Sequence, residues 1–172
     1  KAIFSGGTTS KGGAWPEAYE NTYLGANLLS NAIYSSQLTP HGSTFTSQYQ
    51  GTLLETDDIW FRPIDCLTGP DGSVYVADWY DKRANHVIPE DTWDKTNGRV
   101  WKIVHEGTPA VEVGDLSRRT SDELVDLLAH NNAWYRRQAR RILSERRDPT
   151  VLPRLRKLID GGLTILLVEH DM

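Results

Sequence analysis

Residues 60–81 read WFRPIDCLTGPDGSVYVADWYD, and residues 98–104 read GRVWKIV. Asp71-Gly72 stands between two short runs rich in β-formers, PIDCLT (63–68) and SVYVAD (73–78). Glycine supplies the positive φ that a tight turn demands, so this spacing predicts a β-hairpin. Val74 and Val76 alternate with Ser73, Tyr75 and Ala77, as in a strand whose two faces meet different neighbours. GRVWKIV then predicts a third strand.

Upstream, the runs NTYLGAN (21–27), NAIYSSQL (31–38) and STFTSQYQGTLL (43–54) are also short, rich in Tyr, Thr, Ile and Phe, and broken by Gly, Asn, Pro and Ser. Several short antiparallel strands with regular turns predict a sandwich, a barrel or a propeller. From residue 116 the period changes. Thr120 precedes Glu123 by three, which is capping-box spacing, and Leu124, Leu127 and Leu128 then share one helical face. Asn131 or Asn132 can cap a second helix, AWYRRQARRILSER (133–146), with an apolar stripe of Trp134, Ala139, Ile142 and Leu143. Asp148-Pro149 opens a third segment. Helices of this length joined by short turns have the form of a helical-repeat array.

Charge changes sign where the pattern changes. Residues 1–116 hold 8 Lys/Arg against 15 Asp/Glu, residues 117–157 hold 11 against 5, and residues 158–172 hold none against 3. The expected division is 1–115 as β-structure, 116–160 as helical repeat and 161–172 as a separate tail. Composition excludes wholesale disorder, since 38% of residues are hydrophobic and 24% charged. The single cysteine, Cys66, rules out an internal disulfide or a cysteine metal cage, and reads as an inert, half-buried thiol. No membrane span is legible. The chain begins at Lys1 without an initiator Met, which reads as an excerpt of a longer protein, so a missing targeting signal says little.

The β-part resembles the C-terminal propeller blades of quinoprotein sugar dehydrogenases, and most of all the large membrane-bound dehydrogenases of planctomycete and verrucomicrobial bacteria. GGAWPEAYENTYLGAN (12–27), residues 60–81 and GRVWKIV carry the resemblance, with Arg-Pro-x-Asp, Gly-Pro-Asp-Gly, Tyr-Val-x-Asp-Trp-Tyr and Gly-Arg-x-Trp-x-Ile in the family's order. ELVDLLAHNNAWYRRQARRILSER (123–146) resembles the HEAT-type repeats that follow the propeller in those proteins. The fold so implied is β followed by α: a partial antiparallel β-propeller of about one and a half blades, a HEAT-like helical hairpin and an orphan strand. GLTILLVEHDM (162–172) resembles the late strand and switch-histidine loop of an ABC-transporter ATPase, with His170 at the switch position. No phosphate-binding loop accompanies it, so a junction artefact or fusion remnant is the expectation for the tail.

The resemblance implies a periplasmic or secreted parent that oxidises a sugar or other alcohol, using pyrroloquinoline quinone (PQQ) held by calcium and passing electrons to a c-type haem domain. The excerpt itself is expected to be inactive. On this reading Arg62, Asp65 and Arg99 would contact the cofactor, Arg62 through its two-pronged donors, or else Arg62 pairs with Asp65. Asp78 and Asp81 would offer oxygens to calcium, or Asp78 would accept backbone N–H groups in its turn. His86 is the weak candidate for a catalytic base, against a merely solvated loop histidine. Trp79, Tyr80 and Trp93 would bind sugar. His130, ending a helix, would carry a positive ring suited to the helix dipole. The arginines of the second helix read as a solvated face rather than a nucleic-acid site. A second class of function stays open: a non-catalytic propeller and HEAT scaffold that binds carbohydrate or protein.

Overall fold

The computed structural model describes residues 5–10, 15–19, 21–84, 87–91 and 94–163. The chain divides into two compact units, 1–111 and 112–172. The first is built of antiparallel β-structure and the second of helices.

In the first unit β1 (Gly6–Thr9), β2 (Thr22–Asn27), β3 (Ala32–His41) and β4 (Thr44–Glu55) form one four-stranded sheet in chain order. A second sheet holds β5 (Pro63–Thr68), β6 (Val74–Asp78) and β7 (Arg99–Ile103), again in chain order. All neighbouring strands are antiparallel. Every β-run expected between residues 21 and 104 is a strand, while the strand expected in the tail lies outside the described residues.

The hairpin between β5 and β6 shows why its four residues are Gly-Pro-Asp-Gly. Gly72 N–H donates to Gly69 O at 3.0 Å, with Pro70, whose φ the ring presets, at the second turn position. Gly72 then takes φ 78, and Gly69 N–H closes the ladder on Ser73 O at 2.8 Å. Asp71 Oδ1 accepts Ser73 N–H at 3.0 Å. A Cβ on Gly69 would lie 2.4 Å from the Tyr75 ring, so a larger residue there would have to displace that ring.

Both sheets contribute to one core of Leu24, Ala26, Ile33, Phe61, Cys66, Val74 and Val76, with Trp15, Leu53, Leu54 and Ile103 packed against it. Burying a side chain such as Leu24 or Ile33 contributes roughly 2 kcal/mol. The alternation expected in β6 appears as buried Val74, Val76 and Asp78 between half-buried Tyr75 and Ala77. The sheets meet along β1 and β5. Thr8 and Thr68 share a hydroxyl hydrogen bond of 3.0 Å, and Ser5 Oγ donates to Pro63 O at 2.9 Å. A Cβ on Gly6 would lie 2.8 Å from Ile64 O, so only glycine permits this approach.

In the second unit α1 (Ser121–Leu127) begins with the capping box read from Thr120 and Glu123. Asn132 caps α2 (Ala133–Arg146), its side chain accepting Trp134 N–H at 2.8 Å. Asp148 caps a single 3-10 turn, Pro149–Val151, that leads into α3 (Leu152–Asp160). Leu116, Leu124, Leu128, Ala139 and Ile142 form the core of this unit. No helix among the described residues is long and apolar enough to cross a membrane.

Candidate functional site

The residues of 60–81 and 98–104 that seemed to carry chemistry gather at one end of the β5–β6–β7 sheet. Arg62 enters β5 with its side chain buried. Its three nitrogens each donate to a backbone carbonyl: Nε to Asp81 O at 2.8 Å, Nη1 to Leu28 O at 2.9 Å and Nη2 to Lys82 O at 2.8 Å. The guanidinium thus ties the β2–β3 turn to the segment after β6. Burial holds its pKa below the ordinary arginine value, while the nearby Asp81 and Asp78 charges act in the opposite direction. Asp65 is not its partner in this arrangement. Asp65 instead turns one carboxylate oxygen to Cys66 N–H at 2.8 Å.

Asp78, also buried, ends β6 and accepts from three donors. Its Oδ1 accepts Arg62 N–H at 2.8 Å and Tyr80 N–H at 2.9 Å, and its Oδ2 accepts the Trp101 indole N–H at 3.0 Å. Asp78 thus accepts backbone N–H groups in its turn, as one of its two readings has it. Asp81 behaves alike, its Oδ1 accepting Arg83 N–H at 2.9 Å. Among the described residues no group of three or more His, Cys, Asp or Glu is gathered at one place.

Bending the chain through Asp78 puts Tyr80 at φ 55 and sets its ring between two partners. Trp60 lies 5.6 Å away on ring centroids, and the Arg99 guanidinium lies 3.6 Å over the ring. Arg99 is also 5.7 Å from the Trp101 ring and 3.7 Å from Asp58 Oδ2. Trp101 stays exposed beside this stack, and Trp79, next to Tyr80 in the chain, is exposed as well. The result is an aromatic surface with a fixed cation, suited to stacking on a flat or weakly polar ligand. Sequence reading named Trp60 only as one of several tryptophans able to stack on a sugar, and missed Asp58 and the Trp101–Asp78 bond. Nearness in sequence does not say which side chains meet.

His86 and Trp93 lie outside the described residues, as does the tail from residue 164 with His170. Cys66 is wholly buried rather than half-buried, and burial together with Asp65 pushes its thiol up to about 12. It is inert, as expected. His130 lies just past the end of α1, and its Nδ1 accepts Asn132 N–H at 2.9 Å. The helix arginines are largely spent locally. Arg136 donates to His130 O and Asn131 O, Arg141 pairs with Glu145, and Arg146 reaches Ser117 O.

Residues 4–107 match the family model described as Domain of unknown function (DUF7133), well over half of the chain. No curated protein and no solved structure matches it.

Proposed function

The chain belongs to the family Domain of unknown function (DUF7133), and from that premise we propose that its β-unit supplies blades of a β-propeller acting as a scaffold that binds carbohydrate or protein. The helical unit is then a HEAT-like repeat. Support for the propeller comes from two consecutive meanders whose first strands, β1 and β5, lie against each other, as innermost strands of neighbouring blades do. Closing a ring takes about four blades or more, so these two sheets need companions.

The observation that carries the scaffold reading is the commitment of Arg62 and Asp78. The two residues best suited to a quinone and its calcium hold backbone and an indole instead. What is left at this end is a surface of Tyr80, Arg99 and Trp101, with the exposed Trp79 next to Tyr80 in the chain as a further candidate for ligand contact. A quinone-dependent dehydrogenase of sugar or alcohol, periplasmic or secreted, is the second reading. Arg99 favours it, as a partly exposed cation at the rim that an anionic cofactor would meet.

Titrating the chain with PQQ and calcium, and separately with a panel of neutral and acidic oligosaccharides, tests the choice by quenching of tryptophan emission. Saccharide binding that Trp79→Ala abolishes, without quinone binding, supports the scaffold. Calcium-dependent quinone binding lost in Arg99→Ala supports the dehydrogenase and sinks the leading reading.

A further inference from the structure

The β3–β4 hairpin runs far past its sheet. β2 pairs with β3 only as far as Gln37, so beyond the bond from Leu38 N–H to Asn21 O, Leu38–His41 and Thr44–Ser47 stand as a two-stranded arm without a third strand. Such an arm is marginal in water unless something adds to it. Exposed strand edges are ordinarily guarded by charge, proline or bulges. This one is guarded only in part. No Asp, Glu, Lys or Arg occurs from Asn21 to Leu54. Proline stands on β3, at Pro40, and the register of β4 slips at Leu53 and Gln50, which oppose no residue of β3. From Thr44 to Tyr49 the register is regular, and the edge TFTSQY carries no guard at all.

We propose that this edge pairs with the same edge of a second copy of the chain, antiparallel about a two-fold axis at Ser47. Opposite residues in an antiparallel ladder share a face, so Ser47 meets Ser47 of the second copy, Thr46 meets Gln48, and Phe45 meets Tyr49. The last pair decides for a second copy over an unrelated strand. Phe45 is 61% exposed and Tyr49 62%, the two most exposed aromatic side chains among the described residues. They lie symmetrically about Ser47, so self-pairing covers each with the other twice, an arrangement cross-strand aromatic pairs favour. The absence of charge means that no like charges face each other across the axis.

Sedimentation of the whole chain over a range of concentrations, with Ser47→Lys and Ser47→Glu alone and mixed, tests this. The wild-type chain forms dimers. Each variant alone dimerises about tenfold more weakly, because its new charge faces itself across the axis, and the mixture regains dimer. Should the charged variants fail to fold, Ser47→Cys serves: mild oxidation cross-links it to a dimer while Phe45→Cys stays monomeric, the native Cys66 being buried. A monomeric wild type, a dimer indifferent to both charges, an unrestored mixture, equal cross-linking of both cysteines, or pairing of the edge only with a different protein each overturns the proposal.

Discussion

Asp78 Oδ1 accepts the backbone N–H of Arg62 at 2.8 Å, across sixteen residues of sequence, while the Arg62 side chain reaches past it to the carbonyls of Leu28, Asp81 and Lys82. One residue anchors the main chain of the other, and together they lock three segments of the β-unit at one end.

Asp78→Asn tests the lock. The amide keeps one acceptor oxygen, but its NH2 then confronts the Trp101 indole N–H or the two backbone donors, leaving a buried group unsatisfied. The expected loss is about 1–3 kcal/mol of stability, read from urea unfolding by tryptophan emission. Unchanged stability would remove Asp78 from the architecture.

Arg62→Lys is expected to cost about as much. A single ammonium cannot reach three carbonyls fixed around a planar fork, and the loss is about 2 kcal/mol or more. A lysine variant as stable as wild type would contradict the role assigned to the guanidinium.

Gly6→Ala probes the meeting of the sheets. Its Cβ has no room between Asp65 and the Ile64 carbonyl, so β1 must shift from β5. Overpacking of this kind costs about 1–3 kcal/mol, and Gly42→Ala at an open turn, where only φ is strained, should cost less. Equal costs would argue against close packing at Gly6.

Cys66 gives the β-unit an alkaline pH dependence. Its thiol rises from an ordinary 9.0 to about 12 on folding. The unfolded chain therefore ionises first, and stability falls as pH climbs from about 9 towards 12. Tyr23, raised mainly by burial and further by Cys66 and Asp65, adds to the same slope. Cys66→Ala should flatten that slope while lowering stability at neutral pH by about 1 kcal/mol for the lost sulfur contacts. In the native state the thiol should resist alkylation until the protein is unfolded.

Arg147 supplies a stabilising change. It closes α2 in the left-handed region, at φ 50, where a side chain costs about 1 kcal/mol and glycine costs nothing. Arg147→Gly should raise the melting temperature of the helical unit. A fall would mean that its side chain makes a contact worth more than the strain it carries.

The sequence alone determined the local structure. Turn residues, alternation and capping pairs act over a few positions, so the Gly69–Gly72 hairpin, the Thr120–Glu123 box, the Asn132 cap and the strand runs could all be read directly. It also pointed to Arg62, Asp78, Tyr80 and Arg99, which the structure brings together. Tertiary structure alone decided what they do. Whether Arg62 clamps a ligand or three carbonyls, and whether Asp78 holds calcium or an indole, depends on which distant backbone groups are left without partners when β2, β6 and β7 come together. A buried donor or acceptor takes whatever satisfies it in place of water, and that supply is a property of the assembled fold rather than of any stretch of chain.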